Sequence, residues 1–97
     1  MFARVTSAQI PVAKSDKFIE IYKKSVVPAA KAQKGFSGIY LLLDRSTGKG
    51  MSIGLWESEE AMIATEKNRF FQEQITKFLP FYIQPPIREG FEIVVKA

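Results

Sequence analysis

The chain of 97 residues contains neither histidine nor cysteine. That removes Ser-His-Asp and Cys-His catalysis, thiolate metal sites, a histidine-ligated haem and disulfides. Any chemistry must use Asp, Glu, Lys, Arg, Tyr, Asn or backbone groups. Asn68 stands out, because Ala64, Thr65, Phe71 and Ile75 flank it at helical spacing. A buried amide finds partners or costs about 1–3 kcal/mol. It is either a ligand-facing donor to a carbonyl or peroxide, or an amide satisfied by backbone or water. Tyr22 lies on the apolar stripe of an earlier helix, where its hydroxyl reaches a cavity or stays at the edge of the core. Trp56 either covers a flat ligand or anchors sheet to helix. A site built from these residues has Asn68 and Tyr22 as catalytic groups, with Trp56, Phe71 and Thr65 against the substrate. No carboxylate stands clearly on an apolar face, so no general base is identifiable. Arg4 and Gln9 are weaker candidates. Asp44, Arg45 and Glu57 flank turns and read as caps or surface charges.

The elements that must position these groups follow from periodicity. Phe2 to Ile10 reads as a strand ended by Pro11, and Ser15-Asp16 offers a helix N-cap. Phe18, Ile21, Tyr22, Ser25, Val26, Ala29 and Ala32 then recur at helical spacing, opposite a charged side. Pro28 cannot donate to the Lys24 carbonyl, so a kink or split is expected near Val27. Gly35 closes this helix. Phe36 to Asp44 is a second strand with apolar residues on both faces. Arg45 to Gly50 is a hairpin loop, and Met51 to Glu57 a third strand. Ser58-Glu59-Glu60 opens the second helix. Its expected buried stripe is Ala61, Ala64, Thr65, Asn68, Phe71, Ile75, Phe78 and Leu79, ended by Pro80. Met62, Ile63 and Phe70 fall off that stripe, as a dimer contact or as tolerated exposed residues. Ile87, Phe91, Ile93 and Val95 mark the last strand.

Strand, helix, hairpin, helix, strand is the ferredoxin-like βαββαβ order, an α+β class with an antiparallel sheet and two helices on one face. The other sheet face is apolar and would be bare in a monomer. A second copy is the economical cover, so a homodimer is expected. The length suits one domain over residues 1–97.

Three segments carry a family resemblance: Gly35-Phe36-Ser37-Gly38, Leu43 to Lys49, and Ile53-Gly54-Leu55-Trp56-Glu57-Ser58-Glu59-Glu60-Ala61. Together they resemble the antibiotic-biosynthesis-monooxygenase group of dimeric α/β barrels. Its members often show a Gly-Phe-x-Gly strand start and a Trp-Glu-Ser-x-Glu-Ala junction. The resemblance implies a pocket between sheet and helices. In the quinone-forming members no metal or flavin is needed: the substrate, a polycyclic phenol, loses a proton and its anion reacts with oxygen. It therefore implies a cofactor-independent monooxygenase acting on an aromatic or quinol-type small molecule. The alternative is a non-catalytic small-molecule-binding or stress-related dimer on the same fold. Gln9 stands near an essential Asn of haem-degrading relatives, a chemistry that the absence of histidine argues against.

The net charge is +4, with the basic residues spread out and densest on the first helix, which reads as a solvated face. Lys49-Gly50-Met51 faintly echoes the strand motif of RNA-binding domains of similar order. Met51 and Ile53 replace the base-stacking aromatics, so no nucleic acid partner is expected. No stretch approaches the ~20 apolar residues of a membrane span. With no signal-like N-terminus and no cysteine, a cytoplasmic location is expected.

Overall fold

The computed structural model describes residues 1–97. Four strands, β1 (Phe2–Gln9), β2 (Phe36–Asp44), β3 (Lys49–Trp56) and β4 (Ile87–Glu92), form one antiparallel sheet in the order β2-β3-β1-β4. The helices are α1 (Ser15–Ile21), α2 (Val27–Lys31), α3 (Glu59–Lys67) and α4 (Phe70–Phe78). The α+β, ferredoxin-like architecture expected from the element order is therefore present.

Register divides the side chains between two faces. Ile39, Gly54 and Arg4 form one cross-strand row, and Leu41, Ser52 and Thr6 the next. These rows face the helices, because a strand presents alternate residues to opposite sides. Tyr40, Ile53 and Val5, then Leu42, Met51 and Ser7, form the rows of the opposite face, which no element of this chain covers. On that face Tyr40 is 60% exposed and Phe91 50%. The core sits under one end of the helices, where Ile10, Phe18, Tyr22, Val26, Phe78 and Phe81 cluster. Phe18 meets Phe78 at 4.8 Å and Phe81 edge-on at 5.8 Å, offset geometries favourable for aromatic rings.

The break expected near Val27 takes a specific form. Residues Tyr22–Val26 make a π-helical turn between α1 and α2, and the Val27 N–H donates to the Tyr22 carbonyl, five residues back. The wider turn accommodates Pro28, which has no N–H to continue an α-helical ladder. It also buries Tyr22 and Val26 together.

The second helix differs more from its sequence pattern. It is two helices, α3 and α4, broken at Asn68 and Arg69, and Arg69 adopts the left-handed conformation with φ 70°. A single continuous projection from Ser58 to Leu79 therefore fails across the break. Thr65 and Phe78 are buried as expected, but Ala64, Asn68 and Leu79 are exposed, while Met62 and Gln74 are buried instead. The last strand ends at Glu92, and Val94 and Val95 lie beyond it, exposed. No helix is long and apolar enough to cross a membrane.

Candidate functional site

A cavity of about 90 Å³ lies between the helix-facing side of the sheet and the helices. Its floor exists because β3 alternates small residues inward with large ones outward. Gly50, Ser52 and Gly54 face the helices, whereas Met51, Ile53 and Leu55 face away. Tight packing would otherwise fill this layer. Phe70, Phe71, Ile75 and Phe78 of α4 close the opposite side, and Phe18, Tyr22 and Val26 close one end.

Four of the five expected site residues, Tyr22, Trp56, Thr65 and Phe71, line this cavity. Asn68 does not. It is exposed at the α3–α4 break, where its Nδ2 donates to Gln33 Oε1 at 2.7 Å and its Oδ1 accepts from the Phe70 N–H at 3.0 Å. The expected burial of Asn68 is thus corrected: the left-handed turn at Arg69 rotates it outward, and its amide holds two segments together. Phe70 is corrected in the other direction, since the same turn brings it to the cavity and edge-on to Trp56 at 6.4 Å.

The polar groups of the cavity are mostly paired. The Tyr22 and Ser52 hydroxyls are hydrogen bonded at 2.6 Å. Burial pushes the Tyr22 phenol above its ordinary pKa, and the Ser52 bond partly opposes that. Thr65 donates to the Met62 carbonyl at 2.6 Å, the back-bond common for Thr within a helix. Gln74 accepts from Ser25 at 3.0 Å, and Lys77 donates to the same Ser25 oxygen. Tyr82, also on the cavity wall, has its phenol pushed up to about 12 by burial.

Two donors are different. Arg4 Nε and the Trp56 indole Nε1 are the buried side-chain polar atoms without a hydrogen-bond partner. Both residues line the cavity, and both atoms can only donate, but each is shielded from the cavity space by its neighbours. Their neighbours leave room for them. A Cβ at Gly54 would sit 3.1 Å from Trp56 Nε1, and one at Gly90 would sit 3.2 Å from Arg4 Nη1. Arg4 is held from α3 by an ion pair with Glu66, and the Arg88 Nε lies 3.6 Å from the same carboxylate. The Arg88 guanidinium in turn covers the Phe71 ring, 4.5 Å from its centroid. Sequence reasoning ranked Arg4 low. The available signals were its charge on a helix-facing strand position and the run of small residues at Gly50, Ser52 and Gly54.

Residues 1–76 match the family described as Antibiotic biosynthesis monooxygenase. An uncharacterized protein of Mycobacterium tuberculosis is 38% identical over 66 residues, which is 68% of this chain and 28% of that protein, so the chain spans little more than a quarter of the curated relative. Among solved structures, SnoaB, a cofactor-independent oxygenase from Streptomyces nogalater, superposes with a TM-score of 0.78 at 15% identity, covering 98% of this chain and 94% of that one. Rv0793 from Mycobacterium tuberculosis gives 0.77 at 10% identity over 99% and 97% of the two chains. At such identities these two likenesses concern the fold.

Proposed function

This chain belongs to the antibiotic biosynthesis monooxygenase family, and we propose accordingly that its cavity binds a small aromatic or quinol-type molecule and oxygenates it without a cofactor. The observation that carries this reading is a cavity walled largely by apolar and aromatic side chains that also holds the hydrogen-bonded Tyr22 and Ser52 hydroxyls and a single charged residue, Arg4. Polar groups held in a site of low dielectric act on a developing oxyanion far more strongly than they would in water. A phenolate, or the peroxide anion formed when it meets oxygen, is the kind of group they would hold. The cofactor-independent chemistry of SnoaB is in keeping with this reading, as is the resemblance read from the sequence.

The reaction balances without an external reductant. A phenol with a free ring position reacts with dioxygen to give a quinone and water. The ring carbon supplies the electrons, one oxygen atom stays as the new carbonyl, and the other leaves as water carrying both protons. In this scheme the Arg4 charge stabilises the anion, the Tyr22–Ser52 pair orients it, and Trp56, Phe71 and Thr65 shape the pocket.

Cavity size narrows the substrate. About 90 Å³ is below the ~300 Å³ at which drug-sized ligand sites begin, and below the ~150 Å³ of an apolar cavity known to take benzene. A single ring therefore requires α4 to move outward. The left-handed Arg69 at its start and Pro80 beyond its end make it the natural part to shift. Mono- or bicyclic phenols fit this reading better than larger ring systems.

We place the active unit in a homodimer. The open sheet face exposes Tyr40, Leu42, Ile87 and Phe91 together, and a second copy would cover it. A second reading, a dimer that binds the ligand without turnover, is favoured by one observation: no carboxylate lines the cavity to serve as base. Oxygen uptake decides between them. Consumption of one dioxygen per quinone formed from a hydroxynaphthalene, undiminished by chelator, supports catalysis. Saturable binding of the same compound with no uptake supports the second reading.

A further inference from the structure

We propose that a second hollow, an aliphatic groove between the first helical segment and the edge strand β2, binds a linear aliphatic carboxylate of the fatty-acid type. This groove is separate from the inner cavity, and its ligand is independent of how that cavity is read.

Sequence pattern and topology together create the groove. β2 is an edge strand, so no further strand flanks it on its outer side. Its alternate residues Ile39, Leu41 and Leu43 form the floor. Ile19, Lys23 and Val27 recur at helical spacing along α1, the π-turn and the start of α2, and form the opposite wall. Tyr22 belongs to this wall and to that of the inner cavity, and so stands between the two. The five aliphatic side chains are all half-buried, so each keeps apolar surface for a ligand to cover. The groove has a volume of about 280 Å³, against about 90 Å³ for the inner cavity. That is close to the ~300 Å³ at which ligand sites begin.

The lining selects the ligand. Aromatic rings dominate the inner cavity and suit a flat molecule, whereas branched aliphatic side chains dominate the groove and suit a flexible alkyl chain. From Ile39 to Leu43 the strand runs about 13 Å. An extended chain of about ten carbons has that reach, at about 1.5 Å per C–C bond. Lys23 is the one charged residue of the groove. A lysine stem lies along apolar surface while its ammonium stays in water. The carboxylates near it are engaged elsewhere: Glu20 with Lys24 at 3.1 Å, Asp16 with Arg45 at 2.9 Å, and Asp44 with Ser46. No ion pair claims Lys23. The head of an aliphatic carboxylate complements that free charge. So exposed a pair contributes little, so the alkyl chain sets the affinity and Lys23 the preference for an anion. A dimer formed through Tyr40 and Leu42 uses the other face of the same strand and leaves the groove open.

The test titrates the intact protein by calorimetry with saturated carboxylates of increasing length, each below its micelle-forming concentration. Affinity should rise about two- to fourfold with each added methylene. It should level off near about ten carbons. Lys23→Glu should weaken decanoate about three- to tenfold and leave 1-decanol unchanged. Val27→Phe, which fills the groove, should abolish decanoate binding, and Ile19→Ser should weaken it, with melting temperatures checking that each variant is folded. Methyl NMR signals of Ile19, Val27 and Leu43 should shift when decanoate binds. Binding indifferent to chain length, or shifts confined to Ile75 in the inner cavity, would overturn the proposal. So would the absence of saturable binding, without touching the reading of the inner cavity. If the groove methyls respond to dilution of a dimer and not to decanoate, a second copy fills the groove and the proposal falls.

Discussion

The Tyr22 and Ser52 hydroxyls meet at 2.6 Å across the cavity, tying the π-turn to the centre of the sheet. The turn that accommodates Pro28 thus also delivers the one helix-borne phenol hydrogen bonded to the cavity floor. Tyr22→Phe keeps the ring in the aromatic cluster and leaves Ser52 without its partner. A loss of about 1 kcal/mol in denaturant stability is expected. Ligand affinity should fall in the same variant. Unchanged affinity would mean that the pair serves packing alone.

The raised tyrosines also set an alkaline limit. Burial favours the neutral phenol of Tyr82, pushed up to about 12 against an ordinary value of 10, and Tyr22 moves in the same direction. Above pH 10 the unfolded chain loses phenolic protons that the folded chain keeps. The contribution to stability is thus complete below about pH 10 and is lost as pH rises from there to about 12. Urea unfolding at stepped pH should show a steeper decline above pH 10 in wild type than in Tyr82→Phe. Parallel slopes would contradict the assignment.

Asn68→Ala separates a scaffold role from a chemical one. Its amide ties Gln33 to the start of α4 and lies outside the cavity. The variant should lose about 1 kcal/mol of stability through the two broken hydrogen bonds. Turnover measured well below the melting temperature should stay within about twofold. A large loss of turnover at full foldedness would return Asn68 to the site.

The open face of the sheet makes the last prediction. Leu42 and Phe91 are half-exposed apolar residues on opposite edges of that face. Leu42→Glu or Phe91→Glu, by introducing a charge into a covered apolar surface, should convert a two-copy species to a single copy in sedimentation. A wild-type chain that sediments as one copy at micromolar concentration would refute the dimer outright.

Much of the fold was legible in the sequence because it rests on local rules. Period-two strands, a period-3.6 helix, a glycine-rich hairpin and a serine cap before paired glutamates identify every major element, and their order names the architecture. Gly48 shows how strict such a local rule is. With φ 78° and a would-be Cβ 2.0 Å from the Ile10 carbonyl, its turn admits no other residue without rearrangement. Trp56, Tyr22 and Thr65 were likewise legible, since each is reached before its periodic run breaks, and Phe71 lies on the cavity wall although the run breaks before it.

What the sequence alone did not determine depends on contacts between distant segments. Nothing in the local pattern marks Arg69 as left-handed, because arginine has no intrinsic preference for that conformation. Only packing of α4 against the sheet selects it, and that choice turns Asn68 outward and Phe70 inward. Arg4 shows the same dependence. Its type and strand position are written in the sequence, but its importance arises where β1, α3 and β4 bring Glu66 and Arg88 beside it. Composition determined which chemistry this protein had to do without. Tertiary structure decided which two donors were left unpaired, because hydrogen-bond satisfaction is settled only when all the neighbours of a buried group are in place.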